Sequence, residues 1–415
     1  MIFPWLSGRT RFGTAFWTLV VISLLGTFTT ISFTLFLSPF LKTVTGLPTE
    51  VVGSVFTVAQ LAGLLCYLVA GPLVDQLGRR RTFLVSVFGQ LISMVLLFSG
   101  VSSANILVII GALTIFFPAQ VLSGVAQGSM IADLIQPDKR TEAYAIQRIG
   151  VNLGFAAAPI AGGFLALRSY SAVFLLPLLS VTISVVLVVA LLRETYSTGS
   201  SPVRAFRISG LKDALQDKVL VKFSLVTLFF QLAYAQFIVP VTVYATTVGI
   251  TPVELGYLYT FNGLLVIALQ YPLIRFFKNR AETETLAIGC GFYAVGLFSI
   301  GFAHSLLSFV LSVIIITLGE IITLPSGLSV VSQLSSIDKR GRYLSLFGLF
   351  NRLGFSLGPF TGTTILAIFS NSSILAWAAI ASFAAIASSG YWILQREVAT
   401  KIKAMLAQNV AAPKI

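Results

Sequence analysis

The sequence predicts an all-α polytopic membrane protein with twelve transmembrane helices in two pseudo-symmetric six-helix bundles. Of its 415 residues, 56% are apolar and only 10% are charged, whereas a soluble domain carries about 25% charged residues. The apolar residues form continuous runs of about 20 residues, the length at which an α-helix crosses a bilayer. These runs exclude a soluble enzyme and also a transmembrane β-barrel, whose strands alternate apolar and polar residues.

Membrane-length apolar runs recur along the whole chain. Predicted helices 1 to 12 lie near residues 14–40, 52–74, 82–100, 105–133, 143–167, 172–192, 219–246, 253–277, 285–303, 306–333, 343–369 and 373–394. A hydrophilic stretch separates the sixth helix from the seventh. This stretch divides the chain into three predicted regions. They are an N-terminal bundle (1–193), a cytoplasmic linker with a short amphipathic helix at Leu211–Leu215 (194–218), and a C-terminal bundle (219–415).

The net charge of +13 comes from short basic clusters in alternate connections, so it indicates membrane orientation and not nucleic-acid binding. The loops between these clusters hold only Lys42 and Arg168. By the positive-inside rule, both termini and the linker are predicted to be cytoplasmic in a multi-pass protein of the cytoplasmic (inner) membrane. Cys66 and Cys290 lie in separate apolar spans and His304 is the single histidine, so no disulfide, metal or cofactor is expected.

The two halves repeat at an offset of 200 residues. Asp138-Lys139-Arg140 recurs as Asp338-Lys339-Arg340, each between corresponding helices, and Gly154, Pro159 and Gly162 recur as Gly354, Pro359 and Gly362. Two parallel halves that handle a substrate between them near the midplane are typical of a secondary transporter that works by rocking. The sequence contains no phosphate-binding loop and no nucleophile constellation, so no enzyme activity is expected.

A glycine-rich charged loop, Gly71-Pro72-Leu73-Val74-Asp75-Gln76-Leu77-Gly78-Arg79-Arg80-Arg81, lies between predicted helices 2 and 3. It resembles the signature loop of the major facilitator superfamily, G-x-L-x-D-x-x-G-R-[RK], and fills every diagnostic position. The repeat and the twelve spans extend this resemblance over the whole chain. Within that superfamily the chain resembles the twelve-helix drug:proton antiporters of prokaryotes.

The resemblance implies a conformational latch formed by Gly71, Asp75, Gly78, Arg79, Arg80 and Asp133. Asp75 would face the N-terminus of helix 11 near Gly341–Leu344, and Arg79 would pair with Asp133. Such contacts would stabilise the outward-open state and break when the inner face opens. The alternative is that these charges serve only topology. In the second half Arg275 replaces the acid, which leaves a second latch in question.

Two helices carry stripes of small residues at i, i+4 spacing. These stripes predict close approach of a neighbouring helix. The residues are Gly150, Gly154, Pro159, Gly162 and Gly163 on helix 5, and Gly354, Gly358, Pro359 and Gly362 on helix 11. The first stripe also resembles the proline–glycine motif of exporters in the superfamily, with Ala158 in place of a usual glycine. Packing alone is the alternative interpretation.

Glu320 is the one acid of fourteen near the centre of a predicted span, helix 10. An acidic residue at that depth costs about 2.5–3.5 kcal/mol on insertion scales. A carboxyl that is neutral when enclosed and ionised when wetted suits proton coupling, and the resemblance implies the same role. The alternative is a structural glutamate bonded to Gln120, which occupies the corresponding repeat position, to a backbone carbonyl, or to Arg352.

Further side chains are candidates for the substrate cavity, with helix packing as the alternative for each. They are Phe33, Gln120, Gln231, Tyr234, Gln236, Tyr244, Asn262 and Arg352. Arg352 could extend to the cytoplasmic surface, pair with Glu320 or contact an anionic substrate, and Arg148 is expected to extend to the surface.

These observations predict a secondary active transporter that exports lipophilic small molecules or drugs in exchange for protons by alternating access. The expected partners are a small-molecule substrate, protons and the lipid bilayer, and the protein is expected to act as a monomer. The alternative function is a proton-coupled or facilitative transporter of a small metabolite or lipid.

Overall fold

The computed structural model describes residues 12–136, 139–195, 214–277, 279–335 and 340–411, and within these ranges the regular elements are helices. Twelve of them have membrane-spanning length, as predicted. They are α1 (Thr14–Thr43), α2 (Thr49–Leu77), α3 (Arg79–Ser102), α4 (Ile106–Leu134), α5 (Arg140–Ala166), α6 (Leu175–Leu191, after a 3₁₀ turn at Ser171–Phe174), α7 (Lys218–Thr247), α8 (Pro252–Phe277), α9 (Glu282–Ile300), α10 (Leu306–Gln333), α11 (Arg340–Ile368) and α12 (Ser373–Ala411). The predicted linker helix at Leu211–Leu215 lies largely outside the described residues.

Eleven of these helices in the described ranges are both long and apolar enough to cross a membrane. The exception is α11, whose 29 residues include Arg352 and many glycines and threonines that lower its hydropathy. It still runs between the same two faces as its neighbours. We call the face at which α2 ends and α3 begins the terminal face, because α1 begins and α12 ends there, and the other the opposite face.

The helix α7 is interrupted near its middle. Lys218–Tyr234 is followed by a 3₁₀ turn at Ala235–Phe237, and the helix resumes at Val239–Thr247 with a proline in its first turn. Proline lacks the N–H that would continue the helix. The Gln236 side chain joins the interrupted segment to its neighbour, with Nε2 donating to Leu232 O at 2.6 Å and to Gly358 O of α11 at 3.0 Å.

Within each half, a glycine stripe brings two helices into backbone contact. A Cβ atom added to Gly150 of α5 would lie 2.9 Å from the Val20 carbonyl oxygen of α1, and one added to Gly354 of α11 would lie 2.5 Å from the Leu228 carbonyl oxygen of α7. Gly154, Gly162, Gly358 and Gly362 leave equally little space for a side chain against the same two partners. Because no larger residue fits, these small residues position α1 and α7 against α5 and α11.

The two halves contact each other near the opposite face through three helix pairs. A Cβ on Gly256 of α8 would lie 2.7 Å from the Pro159 carbonyl oxygen of α5. A Cβ on Gly53 of α2 would lie 2.7 Å from the Pro359 carbonyl carbon of α11, and the Ser38 and Thr242 hydroxyls join α1 to α7 at 2.8 Å. These contacts hold the halves together on the opposite face.

Candidate functional site

The carboxyl group of Glu320 lies near the middle of α10 and contacts side chains from two other helices. Its Oε1 accepts a hydrogen bond from the Tyr234 hydroxyl of α7 at 3.3 Å, and its Oε2 accepts one from Asn262 Nδ2 of α8 at 3.4 Å. Asn262 Nδ2 makes a shorter bond, 2.8 Å, to the Thr317 hydroxyl. The structure thus brings together three predicted site residues, Glu320, Tyr234 and Asn262. Hydrogen bonds to a carboxylate are normally about 2.5–2.9 Å long, so this carboxyl is held loosely.

Aromatic rings surround the Tyr234 side chain beside this carboxyl. The Tyr234 ring centroid lies 6.0 Å from those of Phe230, Tyr293 and Phe355. The Tyr293 hydroxyl also donates to the Tyr234 carbonyl oxygen at 3.3 Å. A carboxylate next to several ring faces is an arrangement that attracts lipophilic cations. Sequence reasoning missed the three added rings, although the i, i+4 spacing of Phe230 and Tyr234 was a usable signal for the first of them.

The guanidinium of Arg148, on α5 of the other half, interacts electrostatically with both Glu320 and Tyr234. Its side chain is exposed, and the expectation that it extends to the membrane surface stays a prediction. One cation of the N-terminal half thus interacts over a distance with the one carboxyl of the C-terminal site.

Gln120, the repeat counterpart of Glu320, does not bond to it. Its Nε2 donates to the Thr30 hydroxyl of α1 at 2.6 Å, and its side chain lines a cavity of about 250 Å³ inside the N-terminal bundle. The proposed structural bond between Glu320 and Gln120 is therefore absent from this structure. The other proposed partner of Glu320, Arg352, lies with its Cζ 4.6 Å from the Tyr67 ring centroid of α2.

Four predicted cavity residues occupy helix contacts instead. Phe33 is fully buried and packs edge-to-face on Phe116, with 4.8 Å between centroids. Tyr244 packs on Trp377 and Phe309. The other two, Gln231 and Gln236, are buried between α7 and α11, against Gly354 and Gly362 respectively. The helical faces of these residues were predictable, but the helix that each face meets was not.

The charged loop after α2 forms ion pairs within one bundle. The Arg79 side chain is 8% exposed; its Nη1 lies 2.8 Å from Asp75 Oδ1 and its Nε lies 3.3 Å from Asp133 Oδ2 of α4. Arg79 Nη1 also donates to the Val74 carbonyl at 3.3 Å. These bonds join α2, α3 and α4. The expected position of Asp75 at Gly341–Leu344 stays a prediction, because the side chains at 340 and 341 lie outside the described residues.

A second carboxylate, that of Glu194 after α6, binds the N-terminus of α3. Glu194 Oε1 accepts from Arg79 N at 3.0 Å and Oε2 accepts from Arg80 N at 3.2 Å. The Arg80 side chain in turn donates to the Leu192 carbonyl at 2.7 Å. Gly78 makes this possible, since its φ is +91° and an added Cβ would lie 2.7 Å from Glu194 Oε2. Glu194 was not singled out from the sequence, because it lies far from the loop along the chain.

The second half carries a different polar contact at the corresponding place. Glu282 Oε1, in the first turn of α9, accepts from Ser329 Oγ at 2.6 Å and from Gln333 Nε2 at 3.0 Å, both on α10. Gln333 corresponds to Asp133 in the repeat. The carboxylate of this contact therefore lies on the fourth helix of the first half (Asp133) but on the third helix of the second half (Glu282). Among the described residues, no group of three or more His, Cys, Asp and Glu side chains is placed to hold a metal ion.

Comparison with solved structures gives the fold. The structure is similar to that of the nucleoside transporter NupG, with a TM-score of 0.73 and 12% identity over 95% of this chain and 99% of that one. It is also similar to a POT family transporter in complex with a thioalcohol-conjugated peptide, with a TM-score of 0.80 and 13% identity over 92% and 96% of the two chains. At these identities the likeness concerns the fold alone, and the predicted transporter fold is confirmed.

Comparison with known protein sequences gives the family. The chain is 24% identical to the uncharacterized MFS-type transporter YqjV of Bacillus subtilis over 370 residues, which cover 85% of this chain and 86% of that protein. It is 26% identical to the multidrug resistance protein MdtH of Proteus mirabilis over 169 residues, or 40% of each chain. The family model described as Major Facilitator Superfamily matches residues 17–359. This multi-pass membrane protein is therefore a transporter of the major facilitator superfamily.

Proposed function

We propose that this transporter exports lipophilic small molecules, cations among them, in exchange for protons by alternating access. The observation that carries the proposal is the Glu320 carboxyl at mid-membrane depth, loosely bonded by Tyr234 and Asn262 and flanked by aromatic rings. The names of the MdtH relatives support drug efflux. In this proposal the terminal face is cytoplasmic, the protein lies in the inner membrane, and it works as a monomer.

The proposed cycle uses one site and two arrangements of the halves. With the opposite face closed by the Gly53 and Gly256 contacts, a substrate enters from the terminal face and displaces the proton of Glu320 to the cytoplasm. The halves then rock, the opposite face opens, and an external proton replaces the substrate on the carboxylate. One proton moving down one pH unit supplies about 1.4 kcal/mol, and 100 mV adds about 2.3 kcal/mol for each net charge moved.

The test is pH-driven transport of ethidium, a lipophilic cation, in proteoliposomes with an acidic interior. Glu320→Gln should abolish pH-driven accumulation and keep downhill ethidium exchange, because the amide preserves the shape of the side chain but carries no exchangeable proton. Glu50→Gln is the matched control, since Glu50 is exposed in the first turn of α2, and it should behave like the unmodified protein. Full pH-driven accumulation by Glu320→Gln would overturn the coupling mechanism.

The loop charges support a latch in part. The ion pairs of Arg79 stay within α2, α3 and α4, so they would brace one bundle in every state of the cycle. Only the expected contact of Asp75 with α11 would link the two bundles and break as the terminal face opens. We therefore propose that Arg79 and Asp133 position Asp75, and that Asp75 carries the conformational part of the latch.

A second candidate function is the transport of a zwitterionic metabolite. The observation that favours it is Arg148, an exposed cation of the other half that interacts electrostatically with Glu320, because a cation and a carboxylate in the two halves match a carboxylate and an ammonium on one ligand. Arg148→Gln separates the two functions. It should abolish exchange of labelled neutral amino acids or dipeptides if they are substrates, whereas export of ethidium, which has no carboxylate, should continue.

A further inference from the structure

A polar cavity of about 250 Å³ lies inside the N-terminal bundle, apart from the contacts of Glu320. It is lined by residues of α1, α3, α4, α5 and α6. Among the described residues that line it, none is charged. Its polar lining includes Ser23, Thr27, Thr30, Gln120, Gln127 and Ser184. The cavity lies at the middle of the spans, because Thr27 and Gln120 are close to the midpoints of α1 and α4.

The hydrogen bonds of this lining leave acceptors toward the cavity. The hydroxyls of Thr27, Thr30 and Ser184 donate to main-chain carbonyls four residues earlier, at 3.1, 3.0 and 3.0 Å. One N–H of each glutamine amide is also occupied, since Gln120 Nε2 donates to Thr30 and Gln127 Nε2 donates to the Leu19 carbonyl at 2.9 Å. The hydroxyls of Thr27 and Ser184, whose protons are used in main-chain bonds, still have free lone pairs. The cavity therefore presents hydrogen-bond acceptors without net charge, beside the second N–H of each amide.

We propose that this cavity is a second substrate-binding region, one that accepts hydrogen bonds from the amine N–H or hydroxyl O–H groups of the transported molecule. This rests on the proposed export function and specifies its substrate class as lipophilic cations that bear hydrogen-bond donors. Each half would bind a different part of the substrate, and both regions lie near the middle of the membrane. The C-terminal half offers the carboxylate and rings around Glu320, and the N-terminal half offers the neutral acceptors around its repeat counterpart, Gln120.

The test compares how each substitution changes the binding of two dyes. Proflavine and acridine orange share one planar cationic ring system, but the amino groups of proflavine are dimethylated in acridine orange and donate no hydrogen bond there. Binding of each dye to the purified full-length protein is measured by fluorescence polarisation. Because the methyl groups also add apolar area, each variant is compared with the unmodified protein for the same dye. Thr27→Val and Ser184→Ala should each weaken proflavine binding about fivefold, the worth of one neutral hydrogen bond, and leave acridine orange binding unchanged.

Two further variants separate recognition from folding. Thr18→Val is the matched control, because the Thr18 hydroxyl makes the same type of bond on α1, to Thr14 O at 2.9 Å, outside the cavity. Thr27→Ser keeps the hydroxyl and should restore proflavine binding. The inference is overturned if Thr27→Val and Ser184→Ala leave proflavine binding unchanged, or if they weaken both dyes equally. The export proposal fails separately, through the ethidium response of Glu320→Gln.

Discussion

Gly53 of α2 determines how closely the two halves approach on the opposite face, and Gly53→Ala should open that face. A Cβ at this position would lie 2.7 Å from the Pro359 carbonyl carbon, and closer still to the Pro359 oxygen and the Thr363 hydroxyl oxygen. Since side-chain carbons do not approach heavy atoms within 3.0 Å, α2 and α11 must separate by at least several tenths of an ångström. The added carbon would therefore destabilise the state that is closed on the opposite face. It would not affect the open state, in which α2 and α11 are apart.

The size of the effect follows from the cost of overpacking, about 1–3 kcal/mol for one added carbon in a well-packed contact. Because about 1.4 kcal/mol changes an equilibrium tenfold, the population open on the opposite face should rise at least fivefold. Gly256→Ala should act in the same direction but more weakly, since its Cβ would meet one atom under 3.0 Å, the Pro159 oxygen. Gly111→Ala is the control, because a Cβ there would contact nothing within 4 Å.

Maleimide labelling of Ser38→Cys reports the opening. Ser38 is fully buried and bonds to Thr242 where α1 meets α7, so a cysteine there reacts only when the halves separate. The two native cysteines are replaced by Cys66→Ser and Cys290→Ser. Gly53→Ala should raise the labelling rate at least fivefold, and Gly111→Ala should not change it. An unchanged rate in the Gly53 variant would refute the assignment of this contact as the closure point.

Three further substitutions test individual contacts by thermal unfolding of the purified protein. Gly78→Ala should lower the midpoint by about 2 °C or more, because φ is +91° and the new Cβ would meet Glu194; an unchanged midpoint would show that the turn relaxes. Asp133→Asn should destabilise the protein by weakening the ion pair with buried Arg79, and high salt should reduce the difference; a salt-independent loss would contradict the electrostatic cause. Gln236→Leu removes the amide that bonds Leu232 O and Gly358 O and should cost about 1–3 kcal/mol; a stability equal to that of the unmodified protein would mean that the break in α7 rearranges.

The spans were predictable because hydropathy measures what a bilayer requires of each segment. Hydropathy did not predict helical structure outside the membrane. The last predicted helix stops at residue 394, yet α12 continues to Ala411. Its extension is charged and is held by ion pairs, with Glu397 bonded to Lys222 at 2.9 Å and Lys401 bonded to Asp217. These partners lie about 180 residues away along the chain, a separation at which periodicity carries no information.

In the candidate site, too, the energetic cost of a residue could be recognised from the sequence, whereas its contacts could not. Glu320 could be found from the sequence, because a lone acid at mid-span is expensive and few purposes justify it. Gln236 and Tyr244 could not be assigned correctly, because helical spacing shows which residues share a face and not which helix that face meets.

The two halves repeat their small residues but not their charges, and the physics of each contact explains the difference. At Gly150 and Gly154 of α5 and at Gly354 of α11, main-chain atoms of α1 and α7 occupy the space of a side chain, so these positions admit only glycine. An electrostatic contact is less demanding, since either partner can carry the carboxylate. In the first half Asp133 provides it to Arg79, whereas in the second Glu282 provides it to Gln333, the residue that replaces Asp133. Steric contacts therefore reveal the repeat in the sequence, while the polar contacts of the second half emerge only once the helices are placed.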